Sequence, residues 1–328
     1  MEKREMLEKI KELTTKEISL SDISQVLKIN EYEVLALIRE LRQLGINIVT
    51  QQRDDGIYMY NQGEKELTDD NSYQFFTDEE HEFKFVAISD TRFGSKSQQL
   101  SILNDIYLKA HSLGFDNVIL CGNITEGLYP LHHIYSESNF LDDTLRQVDY
   151  ITNNFPAVEG MKTYFITGAK DEKHLQSNKI NIGKRIEMAR SDMVYLGNGS
   201  CNVMIDKARM FVFNPKLIKT YTVSYRPQQQ IDSFRSEDKP DILLYGGLLQ
   251  MEKFTYRSVA CISVPSVCAT TREMSDRRHS NTIGAWYITV TTDKYGNFKS
   301  IKAMDSVYYK TNKDDYLKPK VLRLTSAK

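Results

Sequence analysis

Five apolar runs in the later part of the chain end in short stretches rich in polar residues and glycine. They are Ile88-Ser89-Asp90-Thr91-Arg92-Phe93-Gly94-Ser95, Cys121-Gly122-Asn123-Ile124-Thr125-Glu126-Gly127, Ile166-Thr167-Gly168-Ala169-Lys170-Asp171, Phe213-Asn214-Pro215 and Tyr245-Gly246-Gly247-Leu248-Leu249-Gln250. In open α/β sheets, ligands bind at the carboxyl ends of the strands. The side chains there that could do chemistry are the carboxylates Asp90 and Asp171, the amides Asn123 and Asn214, and the cations Arg92 and Lys170. Nucleophilic serine chemistry on a G-x-S-x-G elbow is unsupported, and so is phosphate binding by a P-loop, because neither motif occurs. Cys121, Cys201, Cys261 and Cys268 lack C-x-x-C spacing and read as reduced, buried thiols of a cytosolic protein. Of six histidines, His132, His133 and His174 could furnish a metal site, although a His-His pair reads first as surface.

The elements that must position these residues follow from hydrophobic periodicity. FKFVAIS, DNVILCGN, MKTYFITG, MVYLG, CNVMID, ARMFVFNP and DILLYGG read as buried strands, and QLSILNDIYLKAHSLG and SNFLDDTLRQVDYITNNF as helices between them. Strands alternating with helices imply a layered α/β fold. TIGAWYITVTTDKYGNFKSIKAM alternates apolar and polar residues, which suggests a terminal antiparallel hairpin. Ser224-Tyr225-Arg226 reads as a capping turn.

In order, spacing and strand context, the strand-end series over about residues 83 to 300 resembles the calcineurin-like metallophosphoesterases. Their strand ends read S-D-x-H-x-G, G-D-x-x-x-G, G-N-H-D, an isolated His and G-H-x-H. The resemblance implies a two-layered sheet sandwich flanked by helices, and a pair of metal ions clamping an in-line attack on a phosphoester. It also implies that most of the metal ligands are gone. Asp90 matches the first ligand and Asp171 the last residue of the third motif. Arg92 stands at a ligand His position and is permanently cationic. Asn123 replaces the bridging carboxylate, Ala169 a ligand Asn, and Lys170 the His that would assist the phosphoester. Asn214 aligns with the isolated His, and Gly247 and Leu249 with the two His of the last motif. No metal and no cofactor are expected. Arg92 and Lys170 are expected to pair with Asp90 and Asp171 and fill the former site. A sharper expectation is that the two cations bind an anion such as phosphate, since Arg matches phosphate geometry.

Residues 1–62 form a separate pattern. Met6, Leu7, Ile10 and Leu13 recur at helical spacing. Ser19 or Ser21 can cap a second helix, and Asn30 a third whose apolar face is Val34, Leu35, Ile38 and Leu41, with Gly45 as its C-cap. INIVTQQ and GIYMYNQ then flank the turn Arg53-Asp54-Asp55-Gly56. Three helices and a hairpin resemble a winged helix-turn-helix domain. That resemblance implies contact with DNA or a partner protein through Asn30, Tyr32, Arg39, Arg42, Gln52 and Arg53, although Glu31 and Glu33 would repel phosphate. Residues 63–82 are polar and acidic and read as a linker, and 83–328 as the phosphoesterase-like domain.

Lys and Arg number 43 against 44 Asp and Glu, so the net charge is −1 and nucleic-acid binding would rest on local patches. Candidate patches are Arg272, Arg277 and Arg278, and a tail with Lys310, Lys313, Lys318, Lys320, Arg323 and Lys328. No run of about 18 apolar residues is present, so no membrane span is expected. The charged start MEKREMLEKIKEL lacks the apolar core of a secretory signal, which points to the cytoplasm. The function expected from sequence is a non-catalytic, phosphoesterase-like regulator or scaffold that binds DNA or protein. The alternative is a phosphodiesterase or nuclease with a remodelled metal site.

Overall fold

In a computed structural model of the chain, the described residues are 3–43, 46–53, 56–64, 72–129, 136–215, 222, 224–317, 319 and 321–324. The chain divides into two compact units, Met1–Asp69 and Asp70–Lys328.

The first unit contains helices α1 (Lys3–Leu13), α2 (Leu20–Leu27) and α3 (Glu31–Gln43), and strands β1 (Ile18–Ser19), β2 (Ile46–Arg53) and β3 (Gly56–Glu64). The strands form an antiparallel sheet in the order β1-β3-β2. Ser19 caps α2, its hydroxyl oxygen accepting from the Asp22 N–H at 3.0 Å. At α3 the Asn30 carbonyl oxygen accepts from the Glu33 N–H at 2.8 Å, and the Glu33 carboxylate accepts from the Asn30 N–H at 3.2 Å. This reciprocal pair satisfies two donors that a helix start leaves open. Ile10, Ile23, Val34, Ile38 and Leu41 close a small core over Ile48 and Met59. Gly45 and the turn residues Asp54 and Asp55 lie outside the described residues.

The second unit is a mixed α/β body with two six-stranded sheets. Its remaining strands are β4 (Ser72–Phe75), β5 (Glu82–Ile88), β6 (Asn117–Cys121), β7 (Ala157–Val158), β8 (Lys162–Thr167), β9 (Met193–Asn198), β10 (Ser200–Ile205), β11 (Ala208–Phe213), β12 (Ile242–Tyr245), β13 (Glu252–Tyr256), β14 (Val259–Ser263), β15 (Gly284–Thr292), β16 (Phe298–Val307) and β17 (Arg323–Leu324). Its helices are α4 (Leu100–Ser112), α5 (Thr144–Asn154), α6 (Glu172–Asn178), α7 (Ile182–Ala189), α8 (Tyr225–Ser233) and α9 (Arg272–Asp276). One sheet runs β16-β15-β5-β6-β8-β9 and the other β13-β14-β12-β11-β10-β4.

Side chains alternate across a strand, and the apolar runs have both faces to bury. On β5, Phe85 and Ala87 face the second sheet, while Val86 and Ile88 face α4, α5 and α7. On β12, Ile242 and Leu244 join the core between the sheets, while Leu243 and Tyr245 pack with Ile231 of α8. The result is a helix, sheet, sheet, helix layering. In the first sheet β5, β6 and β8 run parallel, so the loops after Ile88, Cys121 and Thr167 emerge at one edge. The expected C-terminal hairpin is present as β15 and β16, paired antiparallel.

The structure differs from the sequence reading at the connection. Ser72–Phe75, expected within a linker over 63–82, is a strand paired in parallel with β10. Phe75 places its ring 4.5 Å from Phe83 and 4.7 Å from Tyr164, and that burial makes a strand of a polar-looking stretch. The basic tail also serves the fold. Arg323 donates to the carbonyls of Asn153 and Phe155 at the end of α5, where its charge suits the helix dipole. Asp315 accepts from the Ser101 N–H at 2.7 Å and caps α4 from more than 200 residues away. Lys318, Lys320 and Lys328 lie outside the described residues. Ser224 occupies the N-cap position of α8 without a side-chain cap bond.

Leu244 is fully buried between the sheets. Leu244→Ala is expected to cost about 2–5 kcal/mol in chemical denaturation of the second unit.

Candidate functional site

The parallel edge brings together the loops after β5, β6, β8, β11 and β12. Four non-glycine residues there hold left-handed backbones: Asp90 (φ 50°), Arg92 (φ 47°), Asn123 (φ 56°) and Leu249 (φ 64°). Asp and Asn tolerate this region, whereas Arg and Leu are strained in it, and such residues collect where the surroundings fix the loop. The chain at Gly246 also approaches closely, since a Cβ there would lie 2.2 Å from the Cys121 carbonyl oxygen and 2.2 Å from Ser89 Oγ.

Asp90 is fully buried. Its Oδ1 accepts from Arg92 Nε (3.1 Å), Arg92 Nη2 (3.1 Å) and Asn123 Nδ2 (3.0 Å). Its Oδ2 accepts from Ser89 Oγ (2.8 Å) and the Gly247 N–H (3.1 Å). The Arg92 guanidinium, only 2% exposed, also reaches Glu126 Oε2 at 3.4 Å. Lys170 Nζ donates to Glu126 Oε1 at 3.3 Å, to Tyr129 Oη and to Glu273 of α9. Tyr129 Oη in turn donates to Glu126. Arg277 closes the chain of charges on Glu273 at 3.1 Å.

Burial is the largest influence on both Arg92 and Glu126 and works against their charges, but the neighbouring groups together outweigh it. The Glu126 and Asp90 carboxylates hold the guanidinium above its ordinary value, and Arg92 and Lys170 hold the Glu126 carboxyl below its own.

Asp171 is not part of this network, contrary to the expected Lys170–Asp171 pairing. It lies behind the loop. Its Oδ1 accepts from the Thr125 N–H and hydroxyl, both at 2.8 Å, and its Oδ2 from the N–H groups of Gly168 (2.8 Å) and Ile124 (3.2 Å). Burial pushes its carboxyl up to about 6, opposed by those hydrogen bonds. His174 continues inward from Thr125. With the Thr125 hydroxyl donating to Asp171, Nε2–H of His174 donates to Thr125 Oγ1 at 3.0 Å and Nδ1 faces Thr144 Oγ1 at 2.9 Å. Burial, with Lys173 nearby, lowers the imidazole to about 4, so His174 is a neutral core residue. His132 and His133 lie outside the described residues.

Asn123 spans two loops, donating to Asp90 and accepting from the Lys170 N–H at 3.0 Å. Asn214 donates to the Cys121 carbonyl at 2.6 Å, while its own Oδ1 is buried without a partner. Gly247 contributes its N–H to Asp90, and the Leu249 side chain is fully buried. A metal pair does not fit this donor set. Apart from Asp90 and Asp171, the matched positions hold a guanidinium, an amine, two amides, a methyl group, an isobutyl group and a glycine. The donor face of Asp90 Oδ1 is already taken by Arg92 and Asn123. Among the described residues, no three His, Cys, Asp or Glu side chains converge as a metal site.

The expected anion site at Arg92 and Lys170 also changes character. Arg92 faces carboxylates on both sides, and Lys170 is shared between Glu126 and Glu273. Of the remaining candidate patch, Arg277 pairs with Glu273, and Arg272 Nε sits 3.9 Å from Asp276. Sequence reading missed Glu126, Tyr129 and Glu273 as members. Glu126 stood in the second motif, at a position where the resemblance asks for no acid. In the first unit, Tyr32 is 66% exposed and Asn30 is engaged in the α3 cap. The side chains of Arg39, Arg42, Gln52 and Arg53 lie outside the described part.

No protein-family model and no curated protein matches the chain. Solved structures with partial likeness include an archaeal phosphodiesterase (12% identity, TM-score 0.41, covering 69% of this chain and 100% of that one). Vacuolar protein sorting 29 from Cryptosporidium parvum shares 10% identity at a TM-score of 0.34, covering 70% of this chain and 100% of that one. The zinc complex of the Entamoeba histolytica protein of that name shares 12% at 0.34, covering 69% and 99%.

Arg92→Ala would leave two buried carboxylates without their cation. It is expected to cost about 3–5 kcal/mol at pH 7 in thermal or chemical denaturation. In the wild type the depressed Glu126 carboxyl adds stability above about pH 4.5 that is lost on acidification. Without Arg92, the strongest of its attractions, much of that gain is lost, so the deficit of the variant should shrink as the pH falls from 7 towards 4.

Proposed function

We propose that the chain is a non-catalytic relative of the calcineurin-like phosphoesterases whose first unit is a winged helix-turn-helix module, acting as a DNA- or protein-binding regulator or scaffold. The observation that carries the first half is the Arg92 guanidinium, seated between Asp90 and Glu126 where the resemblance calls for metal ions. A guanidinium cannot give up its proton or coordinate a cation, and its own charge repels one. The order α1-β1-α2-α3-β2-β3 with a β1-β3-β2 sheet supports the winged-helix reading of the first unit. The cytoplasm is the proposed setting.

A second reading is a phosphodiesterase or nuclease working through a remodelled site. Its favouring observation is the set of left-handed residues Asp90, Arg92, Asn123 and Leu249, since strained loops of this kind gather at active sites. The archaeal protein named above is called a phosphodiesterase, and this reading would give the present chain the same reaction class.

Hydrolysis of bis(p-nitrophenyl) phosphate and of single- and double-stranded DNA by the full chain with Mn²⁺ distinguishes the two. The proposed function expects no turnover above that of Arg92→Ala. It also expects labelled duplex DNA or a captured protein to bind the full chain and not the chain lacking 1–69. Turnover abolished by Arg92→Ala or Asp90→Asn establishes the second reading instead.

A further inference from the structure

Lys173, in the first turn of α6, stands apart from the charge network that surrounds it. The aliphatic stem lies against Gly127, where an added Cβ would come within 3.1 Å of the Lys173 Cδ. The Nζ sits 3.4 Å above the centroid of the Tyr129 ring. Lys170 Nζ lies over the same ring at 4.8 Å. The nearby acids are engaged elsewhere: Glu126 with Arg92, Lys170 and Tyr129, and Glu273 with Lys170, Tyr129 and Arg277. Among the described residues Lys173 enters no ion pair and no side-chain hydrogen bond, so it is the surplus cation of the cluster.

A half-buried amine beside another cation sheds its proton readily, which is how lysine nucleophiles are made. The Tyr129 ring attracts the charged amine, but a neutral N–H also donates to a ring face, so the contact survives loss of the proton. Burial acts first and the Lys170 charge second to bring this amine down to about 7, with Glu273 and Glu126 opposing and Arg92 adding to the effect. His174, the other titratable neighbour, is itself lowered and neutral.

We propose that Lys173 is a site of covalent acylation by small activated acyl donors, thioesters or acyl phosphates. The Nζ lone pair attacks the acyl carbon and forms the C–N bond. The C–S or C–O bond to the leaving group breaks, and the thiolate or phosphate departs with that electron pair. The amine proton passes to solvent, and nothing is oxidised or reduced. The product is a neutral amide, which removes the surplus charge next to Lys170 while the stem keeps its contact with Gly127.

Site-resolved mass spectrometry after brief exposure of the full chain to acetyl-coenzyme A, or separately to acetyl phosphate, tests this and separates the two donors. At pH 7, Lys173 should be acetylated at least about tenfold faster than the lysine of a short unstructured peptide in the same reaction, because an ordinary lysine is almost wholly protonated there. The Lys173 rate should level off above about pH 8, while that of the peptide lysine keeps rising. Lys170→Met should slow Lys173 several-fold, since Glu126 and Glu273 would then turn to it and hold its proton. Equal rates at pH 7, or parallel pH profiles for the two lysines, would overturn the proposal, and the wild-type profile decides even where the variant folds poorly.

Discussion

The strand-end edge depends on one buried guanidinium. Arg92 is 2% exposed and has carboxylates on two sides, Asp90 and Glu126. A charge so far from water is tolerable only when paired and hydrogen-bonded, and each partner is then costly to remove. The loops after β5 and β6 are joined through it, because Glu126 follows β6 while Asp90 and Arg92 follow β5. Asn123 and the Gly247 N–H add the loops after β8 and β12 to the same carboxylate or its neighbour. This strand-end edge is thus held by hydrogen bonds and ion pairs of the protein itself.

That arrangement accounts for the strained backbones. Left-handed conformations at Asp90, Arg92 and Asn123 accompany side chains that meet at the Asp90 carboxylate. Outwards from that point, charges alternate: Asp90, Arg92, Glu126, Lys170, Glu273 and Arg277. Each neutralises the next, from the buried centre to the half-exposed Arg277. The alternation leaves little field for a bound anion at Arg92 or Lys170 and isolates Lys173 at its side.

Much of the body was legible because both of its faces are buried. Continuous apolar runs such as FKFVAI and NVILC mark strands between two cores, and the polar residues after them mark the loops. Asn30 and Ser19 announced their helix starts through cap chemistry that is local in sequence. What stayed hidden was non-local. Asp315 capping α4 and Glu273 reaching Lys170 each join residues more than a hundred positions apart. Ser72–Phe75 looked like linker because a short edge strand needs only one or two buried side chains, here Phe75. The pairing of Asp171 with Lys170 was expected from their adjacency, yet Asp171 turns to the backbone of the neighbouring loop, where four N–H and O–H donors outbid one amine.

Manganese content, measured by elemental analysis after the purified full chain is incubated with Mn²⁺ and desalted, bears most directly on the proposal that Arg92 takes the place of a metal pair. The arrangement described here predicts no stoichiometric metal in the wild type. One or two tightly held ions per chain, lost on substitution of Asp90, would contradict it.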